Sequence, residues 1–497
     1  MSAPPAVDGD AQVTTHVSLR SGVYADSVKL MQVSQAIGAR PGVTAVLVAM
    51  ATPLNLELAA GMGLSPDGPA TPDQLLIALR TTDDAERDAA VAAVEAALAA
   101  REERGSAQAV PPRTIGFALA EAPQESVLAI VSVPGQYAVA EAMDAVAAGR
   151  SVLVFSDGVP VEHEVALKRA AHDAGVLIMG PDCGTAIVSG VALGFANVVR
   201  PGPVGLVAAS GTGAQQVSCL LDTAGVGVSH VLGVGGRDLS TAVGGLATLD
   251  ALQMLEEDPA TERVLLVSKP PAPEVAERVA ATSAALTTPV SSAALSADSP
   301  DLTAAVEALL REMGVAVPTW PTRPGADRSV PADAVLKGFY SGGTLADEAM
   351  LVAAPVLGDV RSNTPLRPEL HLGADFAARG HVVVDFGDDA LTVGRAHPMI
   401  DPTLRLEAIS ALATSGEPAV LLLDVVLGHG ADPDPAGALA PAIGALELPV
   451  VVALVGTEGD PQGWSAQADA LAAAGAAVFA SNSAATRHAL DLIGASK

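Results

Sequence analysis

The sequence predicts an α/β protein made of several Rossmann-like and flavodoxin-like modules, each built on a parallel sheet. Three observations carry the α/β prediction. Short, nearly continuous apolar runs recur, such as SVLVFSDG (151–158), PVGLVAASG (203–211) and RVLLVSK (263–269). Runs of this kind mark strands covered on both faces, whereas strict alternation marks a sheet with one wet face. Each run ends in a turn rich in Gly or Pro and leads into an amphipathic stretch, the grammar of βαβ units. The chain has 497 residues, is 50% apolar and holds 48 Gly and 36 Pro. That is too long for one core, and the punctuation suits about three or four domains.

Taken in order, residues 1–14 read as a disordered tail. A first α/β module spans 15–111, with strands at 16–20, 43–52 and 73–80 and helices at 26–39, 55–64 and 83–103. The last helix begins with acidic residues and has Arg101 near its end, as the helix dipole favours. SAQAVPP (106–112) reads as a linker. The strand–turn–helix rhythm then becomes strict and gives modules at 112–200, 201–320 and 331–494. The last boundary falls at WPTRPGADRSVP (320–331).

Composition excludes some roles. The net charge of -29 repels nucleic acid and anionic membranes at long range. Two cysteines, Cys183 and Cys219, do not make a disulfide framework. The N-terminal stretch has no basic region followed by an apolar core, and no apolar run reaches the length of a membrane span. A cytoplasmic location is expected.

Ligands of doubly wound sheets bind at the carboxyl ends of strands, so the post-strand turns hold the candidates. Ser210-Gly211-Thr212-Gly213 ends one strand and opens a helix, where free N–H groups favour an anion and hydroxyls add donors; a plain N-cap is the competing reading. Gly180, Asp182, Cys183 and Gly184 form a second turn. Cys183 is a nucleophile or a packed small residue, and the second is favoured because no histidine is placed beside it. Gly235, Gly236 and Arg237 form a third turn, where the guanidinium suits a phosphate or carboxylate or else a salt bridge. Lys269 poses the same choice. In the last module Asp385, Asp388 and Asp389 follow a strand and either hold Mg²⁺ or cap a helix. His397 is the candidate proton carrier, Asp388 a catalytic partner and Arg395 an anion clamp. Asp424, on an apolar strand, needs a ligand or a fixed hydrogen bond.

SVPGQYA, SDGVP, MGPDCG, AASGTG, GVGGRDL and RVLLVSK, in that order, resemble the turns of the succinyl-CoA synthetase alpha chain. KGFYSGGTLADEA, DFGDDALTVGRAHPMIDP and LLLDVVLGHGADPDPAG resemble the FdrA family, an alpha-like chain fused to a CoA-ligase C-terminal module. The resemblance covers about 15–490. It implies that 180–184 and 210–212 line a phosphate or acyl-transfer region and that 157–160 lies near CoA. It also shows departures: no histidine lies between His230 and His371, where the synthetases carry a phosphorylated one, and no complete ATP-grasp domain is present. The resemblance therefore implies a subunit that uses a ready-made acyl phosphate, transferring a carbamoyl group from carbamoyl phosphate to an amide such as oxamate. The alternatives are an ATP- and CoA-dependent acyl-CoA synthetase and a non-catalytic metabolite-binding scaffold. An oligomer with co-encoded subunits is expected, with a site composed from 180–238 and 385–430.

Overall fold

A computed structural model describes residues 14–21, 27–99, 112, 114–123, 128–331, 333–373 and 378–494. Of the expected tail only Thr14 is described, and it opens the first strand; of the expected linker, 106–111 lie outside the described residues. The chain divides into two compact units, 1–111 with 394–396, and 112–393 with 397–497.

The N-terminal unit is α/β, but its sheet is antiparallel. Strand Leu75–Thr81 lies between Thr14–Arg20 and Val43–Met50 and runs against both. The outer strands are thus parallel to each other, joined through helix Ser27–Gly38, and the third strand fills the gap between them. Leu75, Leu76, Ile77, Ala78 and Leu79 are all 0% exposed, as a central strand covered on both faces requires. Helices Ser27–Gly38 and Asp84–Ala99 cover one face through Leu30, Val33, Ala90 and Val94.

The larger unit carries three sheets. Strands Leu128–Val131, Ser151–Val154 and Ile178–Met179 are parallel. Helix Gly135–Ala147 packs on them through Ala138, Ala142 and Ala145, whose small side chains allow close approach. The second sheet has the order Val290–Ala294, Arg263–Ser268, Pro201–Ala208, Val228–Gly233, Thr185–Val188, Val191–Gly194. Its first four strands are parallel, and the last two form an antiparallel hairpin. The hairpin moves residues 185–194 out of the 112–200 module. Ser189 and Gly190 both take positive φ (49° and 79°), the tight reversal that folds this segment back onto the second sheet. The third sheet centres on Val335–Tyr340, flanked by Val382–Asp385 and Ala419–Val426, with Val450–Val455 and Ala476–Phe479 beyond. All of these are parallel.

The second and third sheets share one hydrophobic core. Leu206, Leu220 and Leu309 meet Leu345, Met350 and Leu422 in it. Helix Gly211–Thr223 is buried nearly all round, from Gly213 to Leu221. Buried polar ties cross the same contact: Asn197 Nδ2 donates to Leu427 O (2.9 Å) and Asp460 Oδ2 (2.8 Å), and Gln216 Nε2 to Ala480 O (2.9 Å). Among the described residues no helix is long and apolar enough to cross a membrane.

Candidate functional site

Both large sheets reverse their strand order at one inner strand. Pro201–Ala208 lies between Arg263–Ser268 and Val228–Gly233, and Val335–Tyr340 lies between Val382–Asp385 and Ala419–Val426. Such switch points open a crevice at the strand carboxyl ends. Each of these strands runs into a short turn and a helix, Ser210 into Gly211–Thr223 and Ser341-Gly342 into Gly343–Leu357. The two helix starts meet: Ser210 Oγ and Thr344 Oγ1 are 2.5 Å apart. A β-carbon on Gly342 would stand 2.7–2.8 Å from the Thr212 side chain, so the contact requires glycine there. Ser210 Oγ accepts from Gly213 N–H (3.0 Å), and the first intrahelical bonds come from Ala214 and Ala346. The Gly211, Thr212, Gly343 and Thr344 N–H groups thus have no protein acceptor among the described residues, and two helix dipoles point into one place.

Sequence reasoning placed Ser210, Gly211 and Thr212 here and missed Ser341 to Thr344. The signal was present, because VLKGFY-SGGT repeats the strand–SG–T pattern of VGLVAA-SGT.

Asp424 fixes the second turn. It is 0% exposed and accepts from Ser341 N–H (2.7 Å), Ser341 Oγ (2.9 Å) and Gly342 N–H (2.9 Å). Arg405, also buried, stands behind it and donates to the Asp424 carbonyl (2.6 Å). Burial raises the Asp424 pKa, and Arg405 opposes the rise. Asp424 is therefore a positioning group.

Asp385 faces the same turn. Its Oδ2 lies 2.6 Å from where a side chain on Gly343 would begin, and its Oδ1 accepts from Gly387 N–H (2.9 Å). Burial, with Asp347, Asp388 and Asp424 nearby, pushes its pKa up to about 7. His397 Nε2 stands 2.8 Å from where a side chain on Gly387 would begin, beside Ser341 O and Asp385. Its Nδ1 accepts from Met399 N–H (3.2 Å), so the neutral ring carries its proton on Nε2. Removal from water and the Arg405 charge push its pKa down to about 4. The geometry thus makes His397 a neutral N–H donor and not the proton carrier expected from sequence.

The three carboxylates expected to share Mg²⁺ do not converge. Asp388 caps a short helix through Ala390 N–H (3.0 Å), while Asp389 feels the charges of Asp157 and Arg237. Among the described residues no group of three or more His, Cys, Asp or Glu side chains is arranged for a metal ion.

Turn 180–184 packs on turn 233–237. Gly180 N–H donates to Gly233 O (2.9 Å), and Gly235 sits against Pro181 O and Gly180. Asp182 takes a left-handed backbone (φ 57°) at the mouth of this pair. Its surface is accessible, yet protein surrounds it on most sides. That partial withdrawal from water, with Asp389 and Asp157 adding like charge, pushes its pKa up to about 7. An anion is poorly served at this turn. Arg237 is already paired with Glu164 (2.9 Å), which also holds buried Lys168 (2.8 Å), itself bound to Asp238 (2.8 Å). Gly236 approaches Ala209 O, and Gly184 lies against Phe195. Cys183 is buried with its thiol pushed up to about 12, a packed residue. Lys269 pairs with Asp347 (2.6 Å). Arg395 is exposed and lies in the segment 394–396 that groups with the N-terminal unit.

Family comparisons agree with this architecture. A CoA-ligase family model matches residues 339–492, and one described as "AllF, heavy metal-associated domain" matches 13–112. The latter segment contains no cysteine and one histidine, His16. The chain is 38% identical to the uncharacterized protein YahF of Escherichia coli, over 95% of this chain and 97% of that protein. It is 33% identical to the succinate–CoA ligase [ADP-forming] subunit alpha 2 of Archaeoglobus fulgidus, over 28% of this chain and 49% of that subunit. It is 31% identical to the malate–CoA ligase subunit alpha of Methylorubrum extorquens, over 27% and 47%. The chain thus spans about half the length of the ligase subunits it matches. Residues 339–492 thus match the CoA-ligase family, and about a quarter of the chain is similar to ligase alpha subunits. The chain belongs to the family of YahF.

Proposed function

We propose that the protein is an acyl-phosphate-using, CoA-ligase-like enzyme whose phosphoryl group lies between the starts of helices Gly211–Thr223 and Gly343–Leu357. The observation that carries this is the meeting of two helix starts, hydroxyl to hydroxyl at 2.5 Å, with four uncommitted N–H groups. In the reaction, a CoA thiolate attacks the acyl carbonyl. The C–S bond forms, the C–O bond to phosphate breaks, and phosphate leaves onto the N–H groups, which stabilise the charge it gains. His397 Nε2–H adds a neutral donor. Asp385, poised near neutrality, donates a hydrogen bond when protonated. No step is routed through Mg²⁺, because Asp385, Asp388 and Asp389 do not form a ligand set. The resemblance to succinate–CoA and malate–CoA ligase alpha subunits supports this reading. A nucleotide-binding partner subunit would supply the acyl phosphate.

A second reading, of the FdrA type, transfers a carbamoyl group from carbamoyl phosphate to an amide such as oxamate. It rests on the resemblance of the last module's motifs to the FdrA family and, like the first reading, needs no phosphohistidine, in keeping with the lack of any histidine between His230 and His371. The test is to supply the chain, with its co-encoded proteins, with acetyl phosphate and CoA, and separately with carbamoyl phosphate and oxamate. Thioester formation with phosphate release supports the first reading. Phosphate release only from carbamoyl phosphate with oxamate supports the second. No phosphate release under any condition refutes both.

A further inference from the structure

We infer that the acyl group this site accepts carries an apolar chain of several carbons, and that the chain lies in a cavity along helix Gly343–Leu357. The inference rests on the acyl-phosphate reading above.

The cavity has a volume of about 700 Å³, and its wall is formed by Leu295, Leu351, Ala354, Leu366 and Leu370, with Lys269 at one end. That volume lies within the range of small-molecule sites, and the lining is mostly apolar, as in such sites. Its position ties it to the paired turns. Strand Arg263–Ser268 runs parallel to Pro201–Ala208 with Val267 opposite Ala208, so Lys269 follows its strand where Ser210 follows the other. Asp347 lies one helical turn beyond Thr344. The Lys269–Asp347 pair (2.6 Å) and the Ser210–Thr344 pair (2.5 Å) therefore bridge the same two modules side by side. Lys269 and Asp347, which line the cavity, thus stand next to the helix starts of the proposed phosphoryl position.

Lys269 is half exposed (53%), and an ammonium has three donors, of which Asp347 takes one. With phosphate at the helix starts, the acyl carbonyl falls toward Lys269 and the acyl chain toward Leu351 and Ala354. A carbamoyl group or oxamate has no atoms to fill this space. A second cavity of about 750 Å³ lies beside it and shares Leu295, Ser296 and Leu351 as lining.

The test uses the full-length chain and two probes: sulfate for the helix starts, and straight-chain carboxylates from acetate to octanoate for the cavity. Calorimetry should show affinity rising about four-fold per added methylene, the gain from burying one CH₂. Ala354→Phe narrows the cavity and should flatten the series beyond butyrate while acetate and sulfate bind as before. Leu366→Trp, at a more exposed position of the rim, serves if the first variant fails to fold. A flat series in the unmodified chain, or an unchanged slope in both variants, overturns the inference. Sulfate binding with a flat series refutes the cavity alone, whereas no sulfate binding refutes the phosphoryl site on which it rests.

Discussion

Replacing Asp385 by Asn should remove a pH dependence from anion binding. Asp385 lies against the first residue of helix Gly343–Leu357, and burial holds its carboxyl at about 7 instead of its ordinary 3.8. Below that value it is neutral and can donate to an anion. Above it, a carboxylate faces the same N–H groups that an anion needs. If an anion binds only the protonated form, affinity falls roughly ten-fold between pH 6 and pH 8. Sulfate is the suitable probe, because it does not titrate in this range and inorganic phosphate does. The sign for stability agrees. The pKa is raised on folding, so the contribution is full below the unfolded value and is lost as pH rises through about 7. An uncharged Asn escapes that loss, by at most about 4 kcal/mol at pH 8, taking one pKa unit as about 1.4 kcal/mol. The assay is sulfate titration of both proteins from pH 6 to pH 8, beside their melting temperatures at pH 5 and pH 8. A flat profile for Asp385→Asn, with a higher melting temperature at pH 8, is expected. A profile that stays equally steep in the variant would refute the reasoning, because the titrating group would then lie elsewhere.

Ser210→Ala removes an N-cap and half of the hydroxyl pair; it should cost about 1 kcal/mol in urea unfolding and weaken sulfate binding as well. Gly342→Ala places a methyl group 2.7–2.8 Å from the Thr212 side chain and should separate the turns, lowering sulfate affinity and turnover at least about ten-fold while the far-ultraviolet dichroism is kept. Lys168→Met strands the buried carboxylates of Glu164 and Asp238 and should destabilise the larger unit by about 3–5 kcal/mol, read by urea unfolding. His397, held at about 4, should stay neutral with its proton on Nε2 at pH 5.5 and above, which nitrogen NMR of the labelled ring can check.

The parallel strands were legible because a strand covered on both faces cannot hide its composition: AVLLLDVV has no exposed position. The turn at 210–213 was legible for a related reason, since Gly211 sits where the Thr185 side chain approaches closely, whereas the like turn at 341–344 was missed. The antiparallel order of the N-terminal sheet was not legible. LLIAL reads alike whether its neighbours run with it or against it. Nor was the hairpin at 185–194, whose strands are four residues each and join a sheet built mostly from later residues.

The site divides in the same way. The sequence by itself determined that anion-friendly helix starts exist, because local backbone chemistry makes an SGTG turn after a strand into an array of free N–H groups. Which of them act together depended on tertiary structure. Ser210 and Thr344 are 134 residues apart and meet only because two sheets share one core. Charge was decided there too. Arg237 looks like a free clamp in the sequence, yet Glu164, 73 residues earlier, already holds it. His397 looks like a proton carrier, yet removal from water and Arg405 keep it neutral. Asp385 and Asp389 look like one metal site, yet one turns to a helix start and the other feels the charges of Asp157 and Arg237. Residue type and spacing are local properties and can be read along the chain. Desolvation and pairing depend on what the fold brings from far away, and they set the charge and the chemistry of these groups.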